Sequence, residues 1–265
     1  MKRIACILLA AVLAAPAAAA PSRGKVLVVL SSASSLKLRE GREHATGFYL
    51  NELGVPTHAL VEAGYEVVVC DPLGNQPTMD AASDKASYFG GDEARHQQIR
   101  AFVDGLLKQR PMPLASVAAG DLAQYRAVFV PGGHAPMMDL WNNAALGQIL
   151  RSFHQTGRPT ALICHGPVAL LSTRQGGSEG SWPYAGYQMT VFSDAEEKPN
   201  EGKGKLGGFM LFYPEDALRA AGGRLSVGPP RESHVVHDRE LITGQNPFSD
   251  AELAKMLLEA LGASP

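Results

Sequence analysis

A cysteine stands where one short apolar run ends and another begins. Thr160-Ala161-Leu162-Ile163 leads into Cys164, then His165-Gly166-Pro167, then Val168-Ala169-Leu170-Leu171. A β-type run passing directly into a helix-type run forces a sharp strand-to-helix turn, which raises the apical side chain above a sheet. The unsatisfied N–H groups and partial positive charge of a helix N-terminus favour thiolate over thiol at that apex. Such a sulfur can attack a carbonyl carbon. On this segment alone the plainer alternative, a buried and inert cysteine in a tight turn, stays open.

Attack on a carbonyl also needs an oxyanion site, a proton-transfer group and an orienting base. Gly132-Gly133 follows the apolar run Ala127–Val130 within Pro131-Gly132-Gly133-His134, so the N–H groups of Gly133 and His165 can form a two-donor oxyanion hole. A plain Pro-Gly-Gly turn is the alternative. His165 neighbours the nucleophile, but adjacent side chains on an elbow diverge. It is better placed to partner an acid than to take the thiol proton directly. Asp194, Glu196 and Glu197 follow Met189-Thr190-Val191-Phe192 and can supply that acid, or else form a solvated acidic turn. Glu52 lies early in a predicted helix. If it faces the cleft, a carboxyl beside the sulfur in a partly apolar pocket has a raised pKa and can shuttle protons; most helical glutamates lie on the surface instead.

The elements needed to position these groups alternate between strand and helix. Strands are predicted at Lys25–Leu30, Glu66–Cys70, Ala127–Val130, Pro159–Ile163 and Gln188–Phe192, with a hairpin over Val235–Thr243. Helices are predicted at His44–Ala63 (interrupted at Pro56), Arg95–Leu107, Asn143–Gln155, Pro214–Ala221 and Asp250–Leu261. The stretch Asp71–Gly91, rich in Pro, Asp, Gly and Ser, reads as a rim or lid element. Apolar strands alternating with helices indicate a mostly parallel sheet covered on both faces, in a single domain over residues 21–265.

The N-terminus reads differently. Lys2 and Arg3 precede the apolar stretch Ile4–Leu13, then Ala14-Ala15-Pro16 and an alanine run to Ala20. This is the pattern of a secretory signal peptide over residues 1–20, so the chain is expected to be secreted or periplasmic and free of the membrane after cleavage. Removing Lys2 and Arg3 takes the 24 basic residues to 22 against 26 acidic ones, and no basic stripe is present, which argues against nucleic acid as a partner. Cleavage also removes Cys6. Cys70 and Cys164 remain, and two free thiols are expected rather than a disulfide, although an oxidising compartment would permit pairing. Gly202-Lys203-Gly204-Lys205-Leu206-Gly207 spells a dinucleotide fingerprint but follows no predicted strand, and no His pair has metal-site spacing, so neither cofactor nor metal is expected.

Five segments occur in an order that resembles one family. They are Thr46-Gly47-Phe48-Tyr49-Leu50-Asn51-Glu52, Val128-Phe129-Val130-Pro131-Gly132-Gly133-His134, Ala161-Leu162-Ile163-Cys164-His165-Gly166-Pro167, Val191-Phe192-Ser193-Asp194-Ala195-Glu196-Glu197 and Leu241-Ile242-Thr243-Gly244-Gln245-Asn246-Pro247. Together, over about Lys25 to Leu261, the chain resembles the DJ-1/PfpI superfamily (class I glutamine-amidotransferase-like), and within it the branch of glutathione-independent glyoxalases (glyoxalase III) and stress chaperones. The resemblance implies a flavodoxin-like three-layer α/β/α sandwich with a mostly parallel central sheet, often as a homodimer. It implies Cys164 as nucleophile, His165 as its partner, Glu52 as the proton-transfer carboxylate, Glu197 as the third acid with Asp194 as second choice, and Gly133 as an oxyanion donor. The implied reaction is conversion of methylglyoxal, or another small aldehyde or dicarbonyl, to a hydroxy acid without a cofactor. Two features depart from the branch: the leader, and the segments Glu179–Tyr187 and 202–208, which are expected to reshape the pocket. An exported holdase chaperone, a cysteine peptidase or amidase, and a redox sensor built on Cys164 are the competing readings.

Overall fold

Period-two burial along the strands divides the interior in two. In the strand Lys25–Val29, Leu27 and Val29 face one apolar cluster while Val26 and Val28 face another. The same division holds in Tyr125–Val130, where Val128 and Val130 point one way and Ala127 and Phe129 the other. In Thr160–Ile163, Leu162 opposes Ala161 and Ile163. Strands with both faces apolar must be covered twice, and the computed structural model, which describes residues 22–174 and 182–262, shows that arrangement. The leader over residues 1–20 and part of the segment Glu179–Tyr187 lie outside the described residues.

The main sheet comprises β1 (Lys25–Val29), β2 (Glu66–Asp71), β3 (Met112–Pro113), β4 (Tyr125–Val130), β5 (Thr160–Ile163), β6 (Val235–Asp238) and β7 (Leu241–Gly244). Their order is β6-β7-β5-β4-β1-β2-β3, parallel throughout except for the antiparallel β6–β7 pair, which is the expected hairpin. One face is covered by α1 (Leu50–Glu62), α2 (Glu93–Leu106) and α6 (Asp250–Ala260). The other carries α3 (Ala144–Gln155), the 3-10 run Gly166–Arg174 and α5 (Pro214–Ala220). The short α4 (Asp194–Glu197) lies beside the site. This is the flavodoxin-like three-layer α/β/α sandwich. Among the described residues no helix is long and apolar enough to cross a membrane.

Four expectations are corrected. The helix predicted from His44 starts at Leu50; His44 belongs instead to a small antiparallel pair, Glu43–Ala45 with Ser35–Lys37. The Ser83 hydroxyl accepts the Leu50 N–H at 2.9 Å and so caps the later start. Pro56 does not interrupt α1, which runs on to Glu62. The strand predicted over Gln188–Phe192 shrinks to Gln188–Met189, paired with Arg224–Leu225 outside the main sheet. Its remaining N–H groups serve other partners: Thr190 donates to the Thr243 hydroxyl at 2.9 Å and Phe192 to the Cys164 carbonyl at 2.9 Å. Finally, the run after the elbow is 3-10 rather than α-helical. The hydroxyls of Ser172 and Thr173 donate to carbonyls three residues back, at 2.6 and 2.7 Å, which fits the tighter winding.

Strand order also decides the cysteine question. Cys70 is the penultimate residue of β2 and Cys164 follows β5, three strand spacings away across β4 and β1. That is about 14 Å at normal spacing, twice the reach of a disulfide between Cα atoms. Both thiols are free and buried.

Phe129 is fully buried at the centre of β4. Phe129→Ala is expected to lower unfolding stability by about 3–5 kcal/mol, read as a fall in the urea midpoint with the slope unchanged.

Candidate active site

The candidate site residues gather at the carboxyl ends of β4 and β5, where ligands usually bind in an open parallel sheet. Cys164 sits on the residue after β5 with φ +60, a left-handed conformation that costs an ordinary residue about 1–2 kcal/mol. The turn is held on both sides: the Cys164 N–H donates to the Gly244 carbonyl at 2.9 Å, and the Cys164 carbonyl accepts from Phe192. The strained apex aims the sulfur at the loop after β4. There Gly132 passes so close that a Cβ would lie 2.6 Å from the Cys164 Cβ and 2.7 Å from Glu52 Oε2. Gly133 continues the turn at φ +84. The glycine pair lets the backbone thread between a thiol and a carboxyl while leaving both room.

Glu52, in the first turn of α1, is fully buried and points inward. Oε2 accepts the Gly132 N–H at 3.1 Å, and the carboxyl is near enough to the Cys164 sulfur for each to influence the other's titration. Oε1 is buried without a further partner. Burial raises its pKa to about 8 against the opposing influence of Cys164, Gly132 and Gly133, so Glu52 carries its proton at neutral pH. Burial, then the neighbouring carboxylate charge, also pushes the Cys164 thiol up. The expectation of a stabilised thiolate is therefore corrected: desolvation outweighs the helix end. The resting pair is a thiol beside a carboxylic acid.

A second chain of contacts runs from the sulfur in the other direction. Cys164 Sγ lies 3.3 Å from His165 Nδ1, and His165 Nε2 lies 2.6 Å from Glu197 Oε2. Neighbouring side chains on the elbow converge, contrary to expectation, because Phe192 stacks on the imidazole at 4.7 Å and holds it over the sulfur. Burial and then the charge of His134 push the His165 pKa down, which keeps the ring neutral. The carboxylate at Nε2 fixes the proton there, leaving the Nδ1 lone pair facing the thiol. Glu197 Oε1 binds a second imidazole, His134 Nε2, at 3.0 Å. Burial works against both members of that pair. The mutual attraction wins, raising His134 above its usual value and holding Glu197 far below the usual carboxylate range.

The acids therefore separate by position. Glu197 meets His165. Asp194 instead pairs with Lys198 at 2.8 Å, turned away from the sulfur. Glu196 is buried in a structural net, accepting from Ser193, Gln245, Asn246 and the Arg231 N–H. The segment Gln245-Asn246 thus contributes by anchoring Glu196. His134 is the member that sequence reasoning left without a role. It stands at the end of Val128–His134, and its place after the glycine pair was the available signal. Trp182 and Tyr184 pack into the core, with the Trp182 indole N–H on the Leu170 carbonyl, and do not line the cleft. Among the described residues of the segments expected to reshape it, the 202–208 loop lines the cleft, through Lys205 and Leu206.

A cavity of about 560 Å³ opens over Cys164, His165 and Gly133. One wall is aromatic: Tyr49 and Tyr88 meet edge to face at 5.5 Å, and Tyr88 lies 6.0 Å from Phe248. The 71–91 stretch forms the rim through Asp80, Ala82, Lys85 and Tyr88. It is pinned there, since Asp80 accepts the Thr46 hydroxyl at 2.9 Å and Phe48 and Thr78 share a backbone bond. The described residues able to hold a metal ion are His134, His165 and Glu197, whose ligand atoms lie within 4.8 Å of one another. Those atoms already bond each other, so an ion would have to displace the contact that orients His165.

Comparison with known proteins gives a consistent set of relatives. The model of the DJ-1/PfpI family matches residues 44–260. A curated Staphylococcus aureus relative named protein/nucleic acid deglycase HchA is 29% identical over 241 residues, covering 89% of this chain and 80% of the relative. The solved Rapid Encystment Protein of Francisella tularensis is 25% identical, with a TM-score of 0.70 over 90% of this chain and 99% of that one. Glyoxalase III from Candida albicans, at 21% identity and a TM-score of 0.68 over 90% of this chain and 97% of that one, shares the fold.

Two measurements probe the charge states. The folded-state pKa of Glu52 is raised to about 8 from an ordinary 4.5, so its contribution to stability is fully present below about pH 4.5 and is lost as pH rises through 8. Glu52→Gln removes that titration. Its stability advantage over the wild type is expected to grow across this window, by up to about 1.4 kcal/mol per pH unit, in denaturation at pH 5, 7 and 9. His134→Gln removes the cation that depresses His165. The acid limb of the pH profile for Cys164 alkylation by iodoacetamide is expected to move to higher pH; an unmoved limb would show that His134 leaves His165 unaffected.

Proposed function

This chain belongs to the DJ-1/PfpI family, and on that premise we propose that it converts a small α-oxoaldehyde such as methylglyoxal into the corresponding hydroxy acid, without glutathione, through a hemithioacetal on Cys164. The observation that carries this reading is the protonated carboxyl of Glu52 set against a buried thiol. Hydrolysis of an amide needs a nucleophile, a base and an oxyanion site. An internal proton shift between two carbons needs in addition a group that can both give and take a proton within the closed site, and Glu52 is placed for that. The relative named as a deglycase supports reactive-carbonyl chemistry at such a site.

The steps balance without an external oxidant or reductant. As the sulfur adds to the aldehyde carbon, His165 Nδ1 takes the thiol proton, and the N–H groups of Gly133 and His165 face the developing oxyanion. Glu52 donates its proton to that oxygen and becomes a carboxylate, whose basicity near neutral pH suits the next transfer. It removes the hydrogen from the former aldehyde carbon while His165 passes the former thiol proton to the ketone oxygen, giving an enediol. Glu52 then returns that hydrogen as a proton to the neighbouring carbon and takes back the hydroxyl proton of the former aldehyde carbon as the thioester forms, which leaves His165 neutral. The former ketone is now a secondary alcohol and the former aldehyde a thioester. Water, activated by His165, cleaves the carbon–sulfur bond to release the hydroxy acid and the thiol. Glu197 holds the imidazole in the required tautomer throughout, and His134 neutralises Glu197.

Lactate formation from methylglyoxal by reduced protein without glutathione tests this scheme. Cys164→Ala and Glu52→Gln are expected to abolish turnover, and Glu197→Gln to reduce kcat by about 10²-fold or more. Alkylation of Cys164 should persist in Glu52→Gln. A wild type that alkylates readily yet makes no lactate would sink the glyoxalase reading and point to acyl transfer.

A further inference from the structure

The cavity is far larger than methylglyoxal requires. A volume of about 560 Å³ falls in the range that houses drug-sized ligands, whereas the reacting fragment occupies only the end beside Cys164, Gly133 and His165. The remainder is bounded by the Tyr49–Tyr88–Phe248 wall and by three cations, Lys85, Lys205 and Arg231.

The charges around this space are unevenly committed. The two acids on the lining are spent on donors. Asp80 accepts from the Thr46 hydroxyl and the Ala82 N–H. Glu196 takes two bonds at each oxygen. Among the described residues none of the three cations makes an ion pair; Arg231 lies 5.7 Å from the Phe248 ring. Lys205 is near enough to His134, and Arg231 to Tyr88, for their charge to be felt there, so both act on the interior of the cavity. They approach from different elements: Lys85 from the 71–91 rim, Lys205 from the 202–208 loop and Arg231 from the stretch before β6. All three line the space over the sulfur.

We infer that the preferred substrate is an α-oxoaldehyde bearing an anionic group, a phosphate or carboxylate, at the end remote from the aldehyde, which Lys85, Lys205 and Arg231 hold at the cavity mouth. The inference rests on the glyoxalase reading for the reacting end. It adds that the far end is recognised by charge. An uncommitted cation gains more from a phosphate or carboxylate oxygen than from any neutral group, and exposed cations also raise the local concentration of an anionic substrate in a salt-dependent way.

Hydroxypyruvaldehyde phosphate and methylglyoxal, compared as substrates at low salt, test the idea. The phosphorylated compound is expected to show at least a tenfold higher kcat/KM, through a lower KM, and to lose most of that advantage in 0.5 M NaCl. The ratio of the two kcat/KM values should fall in each of Lys85→Gln, Lys205→Gln and Arg231→Gln, and most in the triple variant. Equal kcat/KM values, or a ratio indifferent to salt and to the substitutions, would overturn the inference while leaving the glyoxalase reading intact. If neither compound is turned over, the reaction assignment fails instead. Protection of Cys164 from iodoacetamide by glycerol 3-phosphate, compared with glycerol, then decides the subsite: salt-sensitive protection by the phosphate alone upholds it, and equal protection or none rejects it.

Discussion

Desolvation of one carboxyl and one thiol at the same point governs the site. Each group is driven toward its neutral form by burial, and the neighbouring Glu52 makes a charge on the Cys164 sulfur more costly still. A thiol and an acid result, both uncharged and in contact, where a solvated site of the same composition would hold a carboxylate. That arrangement requires the backbone between them to occupy almost no volume. Gly132 meets the requirement, since any Cβ there would collide with both groups.

Charge is instead stored one contact further out. Glu197 accepts from two imidazoles, and the two do not share its influence equally. His134 takes the proton and becomes the counter-ion, while its positive charge, added to burial, keeps His165 neutral. One carboxylate thereby supports an imidazolium and a free base at ring centroids 4.2 Å apart. The buried ion pair stays beside the thiol without adding net charge to it, and the imidazole lone pair stays on the nitrogen that faces the sulfur.

These groups come from distant parts of the chain and meet because of strand order. β5 sits between β4 and β7, so the elbow after it touches the glycine loop on one side and Gly244 on the other. The segment carrying Glu197 enters the site because its backbone bonds to the elbow and to Thr243 rather than extending the sheet. The shortened strand over Gln188–Phe192 and the correct placement of the acid are thus one event: N–H groups that would have made a ladder hold the acid against His165.

Much of this was legible in the residues. The abrupt passage from Ile163 through Cys164 to Gly166 located the elbow, because a strand that ends on a small polar residue before Gly-Pro has few other conformations. The period-two strands required a covered parallel sheet, and glycines after β4 marked a close approach. The sequence could not show what depends on how far water is excluded. Helix-end electrostatics, a local property, argued for a thiolate; burial, a property of the whole fold, reversed it. Nor could spacing separate Glu197 from Asp194 and Glu196, three acids within four positions, since which of them meets His165 depends on where α4 is docked. His134 went unassigned for the same reason: its partner lies 63 residues away and becomes a neighbour only when β4 and β5 pair. Local pattern marked the candidate site residues, and tertiary packing decided their protonation and their partners, because solvation and long-range contact exist only in the folded chain.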